Sequence, residues 1–452
     1  MLFNTGLLKT NFLMKILIII PPYIPSYFNA GHHLPIFQVS AFIRRNLPNV
    51  DVQCLDAAAL NVHWKNICEL LINNEFDIII AMNDFDGIDT FQRFVHYCKK
   101  LSPKSKLVTF GRLSKQNPFI FRQFGFDAIH YSGDYEAAIL DYILGLRNGI
   151  TASGFLVQEL GIYHKTGDGR MLDPTQWVFP NVEEIPYIHY DKMYIDDFNK
   201  FCGIPQRREL VVPVARGCSV GCQYCDVPAM QGNKDRRVTV DCTLNYIQDT
   251  FSRQPFDYVT FYAPTFTLNK QWVIELCQQI EEREMSIPWK CVTTLSFLNE
   301  RLIKAMARAH CIRISLGVET IESNVAKNNL PKIKIDAYNK LGKISRICQE
   351  NNIELNCFIM MGMPGDSIEG LKNTIKYIHD NNARYRPTIY TSYAEITDDM
   401  QLFDVSLFNR QLFANRNYND IDEIEYYRLF HGFEYRKDSA INNKISINKA
   451  AK

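Results

Sequence analysis

The chain has 452 residues, 46% hydrophobic and 22% charged, with 29 Phe and 23 Tyr, which is ample core material and excludes a largely disordered protein. Its 50 basic and 49 acidic residues leave a net charge of +1, so no nucleic-acid partner is expected. No apolar run approaches the ~20 residues that a bilayer needs, so no membrane partner is expected either.

Near the start, Ile16–Ile20 has only a strand's length, Lys9 and Lys15 interrupt the apolar stretch, and no small-residue cleavage site follows. Met14-Lys15 offers a second start, which would make residues 1–13 an extension. Residues 15–147 then alternate strand and helix patterns. Strands are predicted over 15–20, 50–55, 76–81, 106–110 and 126–131, and helices over 34–45, 62–72, 90–100 and 134–146. Continuous apolar runs such as Ile78-Ile79-Ile80-Ala81 suit strands buried on both faces of a parallel sheet. Five such strands make a small doubly wound domain over 1–147, whose ligand belongs beyond the carboxyl ends of the strands. Those ends carry Pro22, Tyr23, Met82, Asn83, Asp84, Gly111 and Gly133.

Residues 148–209 break the rhythm and read as a structured connector. Gly167-Asp168-Gly169 resembles a hairpin tip, and Trp177, Phe179, Tyr187, Tyr190 and Tyr194 need packing partners. Over 210–395 the alternation returns, with strands predicted at 210–215, 258–262, 289–293, 312–317, 354–361 and 388–393. Asp366 and Glu369 look like a capping box ahead of a helix through Leu371, Ile375 and Ile378. Six strand–helix units suggest a partial or closed parallel barrel. Residues 396–436 are rich in Phe and Tyr and are expected to form helices across that barrel. Residues 437–452 read as a frayed tail.

Ten of the thirteen cysteines are scattered singly, and an odd total with irregular spacing points to a reducing, cytoplasmic compartment rather than a disulfide framework. The other three form Cys218-Ser-Val-Gly-Cys222-Gln-Tyr-Cys225, directly after the first strand of the second half. Structural zinc needs a fourth ligand, and no Cys or His follows at suitable spacing. A four-iron cluster on three cysteines leaves one iron open.

This CxxxCxxC string, with Tyr224 before its last cysteine, resembles the radical S-adenosylmethionine (SAM) superfamily. Arg216-Gly217 ahead of it, Leu316-Gly317-Val318-Glu319-Thr320 and Met361-Gly362-Met363-Pro364-Gly365 follow in the order such proteins have them. The first domain and the phrase Asn181-Val-Glu-Glu-Ile-Pro186 resemble the cobalamin-dependent class of that superfamily. The implied architecture is α/β. It has an N-terminal doubly wound, Rossmann-like cobalamin-binding domain, a connector, a partial (β/α)6 radical SAM barrel and a small C-terminal helical region over 396–452.

The resemblance implies a [4Fe-4S] cluster on Cys218, Cys222 and Cys225. It implies SAM at Tyr224, Glu319, Gly362 and Gly365, and cobalamin along the first sheet's edge. The Asp-x-His-x-x-Gly string of classical cobalamin proteins is absent, because Gly31-His32-His33 has no Asp two residues before either histidine. Cobalamin would therefore bind without a histidine on cobalt. Acidic residues that relatives often carry after the second barrel strand are absent from Phe261-Tyr262-Ala263-Pro264-Thr265.

In the family, one-electron cleavage of SAM yields a deoxyadenosyl radical that takes a hydrogen from carbon, and methylcobalamin can then supply a methyl group. The expected function is a cobalamin-dependent radical SAM methyltransferase acting on a small molecule or short peptide, with an electron donor such as flavodoxin or ferredoxin. The alternatives are rearrangement, cyclisation or ring contraction without methyl transfer, and an idle cluster protein. A methylthiotransferase would need a second three-cysteine cluster, and Cys54, Cys68 and Cys98 fall inside predicted elements.

Overall fold

The computed structural model describes residues 13–23, 30–85, 87–193, 204, 207–406, 408 and 423–431. The expected N-terminal extension, the frayed tail at 437–452 and the aromatics Tyr194, Phe413, Tyr418, Phe433 and Tyr435 lie outside them, apart from Leu13.

Two sheets, one mainly and one wholly parallel, organise the chain. The first is built from β1 (Met14–Ile20), β2 (Val50–Asp56), β3 (Ile78–Asn83), β4 (Lys106–Gly111), β5 (Ala128–His130), β6 (Phe155–Glu159) and β7 (Ile162–Lys165). Their order is β2-β1-β3-β4-β5-β6-β7, parallel through β5 and antiparallel from there. Strand order reverses between β1 and β3, the crevice where doubly wound sheets hold ligands. Alternate side chains explain the layering. Ile16, Ile18 and Ile20 enter the core shared with the barrel, while Leu17 and Ile19 enter a second core on the opposite face. Both faces are therefore covered, as an apolar parallel sheet requires.

Three expectations shift here. The sheet continues past residue 147, because β6 and β7 add to it as a hairpin. Its tip is Leu160-Gly161, not Gly167–Gly169, and both tip residues have positive φ. Gly169 instead packs against the Ser132 carbonyl, where an added Cβ would lie 2.1 Å from oxygen. Finally, β3 starts two residues later than expected and runs through Met82 and Asn83, which are strand residues rather than loop.

The second sheet comprises β8 (Glu209–Pro213), β11 (Tyr258–Tyr262), β12 (Trp289–Thr293), β13 (Cys311–Glu319), β14 (Glu354–Met361) and β15 (Arg384–Ile389), adjacent in chain order and all parallel. Between β8 and β11, the two-residue strands β9 (Ala215–Arg216) and β10 (Arg236–Arg237) pair antiparallel. Among the described residues β8 and β15 do not pair, so the barrel is partial. The last strand lies four residues earlier than its apolar pattern suggests. Its Arg386 is buried within the sheet, whereas Tyr393 belongs to a 3-10 turn packed on Phe85 of the first domain.

The aromatic region after the barrel also departs from expectation. Ile396 and Val405 join the outer core of the first domain, with Met400, Leu402 and Phe408 packed against it. Among the described residues after the barrel, Tyr426 and Phe430 on the helix Glu423–His431 enter the core shared with the barrel, with Leu429 packed against it. The chain thus folds back on its first domain.

Candidate active site

The cysteine loop leaves the barrel beyond β8 and is pinched at its base by β9 and β10. Gly217 makes that pinch possible: its φ is +82°, and a Cβ would lie 2.0 Å from the Lys234 carbonyl. Cys218 is buried with its sulfur 3.5 Å from Thr265 Oγ1, while Cys222 and Cys225 are half-buried. The Cys225 amide donates to the Cys222 carbonyl at 3.2 Å, which keeps the loop tight. Burial raises the Cys222 thiol, and pushes Cys225 up to about 12. Cys218 adds to the rise at both Cys222 and Cys225, and Cys222 adds to that at Cys225. Thiols raised in this way stay protonated near neutral pH, and a binding metal ion displaces their protons into solvent. Among the described residues no three His, Cys, Asp or Glu side chains converge on a single-ion site. The donor set, three thiols and no fourth partner, fits a polynuclear iron–sulfur group with one open corner.

Beside this loop, the end of β13 delivers Glu319. It is 5% exposed and sits at φ +65°, a strained conformation for a residue with a side chain, where the β13–β14 register slips. Tyr224 donates its hydroxyl to Glu319 Oε1 at 2.6 Å. Lys334 Nζ lies 2.5 Å from the same oxygen and 3.2 Å from the Tyr224 hydroxyl. The structure thus joins two of the four expected SAM residues. Gly362 and Gly365 form a separate turn at the end of β14, with φ of +85° and +83°. Asp366 holds that turn by accepting from the Gly362 amide at 3.0 Å. The helix cap expected at Asp366 belongs to Ser367, whose hydroxyl accepts from the Gly370 amide.

The first sheet presents its edge differently. Asn83 is 1% exposed and fully engaged, donating to Thr109 and accepting from the Ser114 amide. Met82 is buried in the core. Gly111 packs on Asn83, whose carbonyl would meet a Cβ at 1.9 Å, and Gly133 packs on the backbone of Gly169 and Arg170. These four hold the edge's shape. Pro22 is buried at the end of β1, and Tyr23 places its hydroxyl 3.2 Å from His33 Nε2. Asp84 faces Arg112 at 3.5 Å.

Arg112, just beyond β4, joins the two halves. It donates to Asp226, the residue after Cys225, at 2.7 and 3.0 Å, and to the Tyr393 hydroxyl at 2.8 Å. A second bridge runs from Arg216, beside the cysteine loop, to Glu136, and from Arg236 to Asp134. His32 reaches from the first domain into a cavity of about 290 Å³ inside the barrel. Burial, then Arg112, then His33 push His32 down to about 3, so it is neutral near pH 7. The same cavity is lined by Phe358, Val292 and Arg386, and by a Lys290–Glu209 ion pair at 2.8 Å. Val292 is 36% exposed although its strand neighbours are buried, so the lumen is open rather than packed.

With this geometry in view, the comparisons are specific. Residues 212–378 match the family model described as the Radical SAM superfamily. Residues 212–378 form a radical SAM domain. The chain is similar over 424 residues, at 23% identity, to a protein of Pyrococcus horikoshii named an uncharacterized methyltransferase, covering 91% of this chain and 87% of that one. It is 20% identical over 182 residues to the bacteriochlorophyllide d C-12(1)-methyltransferase of Chlorobaculum tepidum, 39% of each chain. Its fold is similar to that of the radical SAM methyltransferase TsrM of Kitasatospora setae, with a TM-score of 0.69 at 13% identity over 83% of this chain and 75% of that one.

Sequence reasoning missed three parts of this enzyme's site. Lys334 sits on the four-residue helix Lys332–Ile335 and belongs to no motif. Arg112 finds Asp226 across 114 residues of chain. The spacing around His33 excludes a carboxylate partner nearby, yet Asp56 at the end of β2 lies 2.6 Å from its Nδ1. Tertiary contact supplied what local spacing lacked. Asp56 also accepts from Tyr190 and the Ala59 amide. With Tyr23 on Nε2, both His33 nitrogens are engaged within the protein.

Proposed function

We propose that this radical SAM enzyme is a cobalamin-dependent methyltransferase that places a methyl group on a carbon of a small molecule or short peptide. The observation that carries this reading is the meeting of two strand edges. The ligand-binding edge of a doubly wound domain abuts the cysteine loop through Arg112 and Asp226, and lends His32 to the barrel cavity. Support comes from TsrM, described with cobalamin and a [4Fe-4S] cluster bound, and in a second structure with tryptophan and a SAM analogue. The methyltransferase names of both sequence relatives point the same way.

In this reading Cys218, Cys222 and Cys225 hold the cluster, and Tyr224, Glu319, Gly362 and Gly365 line the SAM pocket. Pro22, Tyr23, Met82, Asn83, Asp84, Gly111 and Gly133 shape the cobalamin edge. When bound, the cluster and cobalamin supply SAM cleavage and methyl carriage. The protein's part is orientation and shielding. Gly362 lets backbone approach the adenine, and the barrel lumen encloses the substrate. His33, with both nitrogens occupied, is withheld from cobalt. An electron donor such as flavodoxin or ferredoxin completes the scheme.

The test is anaerobic reconstitution followed by measurement of S-adenosylhomocysteine and deoxyadenosine. Methyl transfer yields both, whereas deoxyadenosine alone returns the enzyme to the rearranging alternative. Electron paramagnetic resonance of the cobalt(II) form should lack nitrogen splitting from a protein histidine; its presence overturns the ligand assignment.

A further inference from the structure

His32 and His33 stand side by side in the first turn of the helix Ala30–Asn46, yet the fold treats them in opposite ways. His33 is buried and both its nitrogens are taken, by Asp56 at 2.6 Å and the Tyr23 hydroxyl at 3.2 Å. His32 is half-buried, lines the barrel cavity, and makes no hydrogen bond or ion pair among the described residues. It is the one residue of the first domain in that lining. A polar side chain aimed into a cavity without a protein partner finds its partner in water or in a ligand.

The cavity is also set apart from the cofactors. Its lining includes none of the residues proposed for the cluster, for SAM or for cobalamin. Phe261, Val292 and Phe358 give it an apolar wall. The charged residues of the lining, Glu209, Lys290 and Arg386, stand within the first three residues of β8, β12 and β15. His32 instead feels Arg112, which reaches the cysteine loop through Asp226. Asp84 and Asp226 already share Arg112, so this end of the site offers a substrate charge no open counter-charge. Burial and Arg112 together keep the imidazole uncharged near pH 7, with one nitrogen to donate and one to accept.

We propose that His32 is the substrate-recognition residue of the barrel cavity: its imidazole hydrogen-bonds an uncharged hydroxyl, amide or ring N–H of the substrate and so fixes which carbon is presented to the first domain. This rests on the reading that the lumen encloses the substrate, and it narrows the substrate to a molecule with an apolar body and an uncharged hydrogen-bonding group. A histidine pushed down to about 3 is too weak a base to take a proton from such a group, so His32 orients the substrate rather than activating it, and no bond is made or broken at the imidazole. Because the residue comes from the first domain, the pocket is complete only where the two halves of the chain meet.

The probes are phenol, fluorobenzene and benzoate: a ring with an uncharged hydroxyl, a near-isostere without it, and a ring with a carboxylate. Binding of fluorobenzene to the anaerobically reconstituted enzyme is followed by its fluorine resonance, and binding of the other two by its displacement. Wild type should prefer phenol to both, and His32→Leu should shrink the preference over fluorobenzene about tenfold. His32→Gln, which keeps a donor and an acceptor, should retain most of it. An unchanged ratio of phenol to fluorobenzene in His32→Leu overturns the proposal, as does benzoate binding to wild type as well as phenol. If His32→Leu does not fold, His32→Gln is read alone, and a preference lost there overturns the proposal. Nitrogen splitting of the cobalt(II) signal that disappears in His32→Gln would give His32 to cobalt, with the same result. Binding of none of the three probes to wild type overturns the reading of the lumen as well, and so is told apart from failure at His32 alone.

Discussion

The barrel and the first domain both aim the carboxyl ends of parallel strands at one junction, yet they spend their edge residues differently. At the barrel edge the residues proposed for the chemistry are side chains: three cysteines on one loop, and Tyr224, Glu319 and Lys334 on one another. At the first sheet's edge the expected residues make shape. Asn83 is consumed by Thr109 and Ser114, and Gly111 and Gly133 are glycines because backbone crowds them. A group held by charge or by thiolate demands particular side chains at particular spacings. A large planar cofactor held along a crevice demands mostly an absence of side chains, and absence leaves little signature.

The strongest way to break this contrast is to strip the barrel edge. Replacing Cys218, Cys222 and Cys225 with Ala should take iron from about four per chain to near zero after anaerobic reconstitution, while far-ultraviolet circular dichroism stays native. Stoichiometric zinc in the wild-type protein instead would remove the barrel edge's claim to cluster chemistry.

The junction itself comes next. Arg112→Met leaves Asp226 and Asp84 facing each other without their shared cation, in a site where each carboxylate is less than one-fifth exposed. Breaking such a pair costs about 3–5 kcal/mol, which denaturant unfolding would register. A loss below about 1 kcal/mol would mean that the two edges meet without depending on each other. A smaller, more local effect is expected at Gly362. A Gly362→Val substitution forces a β-branched residue into φ +85° and should weaken SAM binding about tenfold or more while leaving iron content intact. Unchanged SAM affinity would assign this glycine to the turn alone.

Much of the molecule was legible in the sequence because its strands are buried on both faces and so read as unbroken apolar runs, as Ile78–Ala81 does. The cysteine loop stands out in the sequence because the iron–sulfur chemistry proposed for it fixes residue type and spacing together. What escaped has one physical character. Lys334, Arg112 and Asp56 act through partners 15 to 281 residues away, and a single polar residue on a short helix or strand end has no periodicity to betray it. The sixth strand was misplaced for a related reason. Arg384 and Arg386 interrupt its pattern because they belong to a charged layer low in the barrel, where Glu354 pairs with Arg313 at 2.9 Å and Arg384 at 3.2 Å.

The finest test of the contrast concerns a single carboxyl on the barrel edge. Asp366 is buried, accepts from the Gly362 and Ser367 amides, and is pushed up to about 6, chiefly by that burial. Its folded value thus lies above the usual 3.8, so the folded protein keeps a proton that the unfolded chain has released. Wherever the native state binds more protons, stability falls as pH rises, here through the window from about 4 to 6, levelling off above it. Between pH 5 and 7 this one group should withdraw about 1 kcal/mol. Asp366→Asn keeps an acceptor for the Gly362 amide and removes the charge, so its stability should be flatter over that range by the same amount. Parallel pH profiles for the two proteins would mean that Asp366 ionises as freely in the fold as out of it, and that the turn from Gly362 to Gly365 is wetter than its packing indicates.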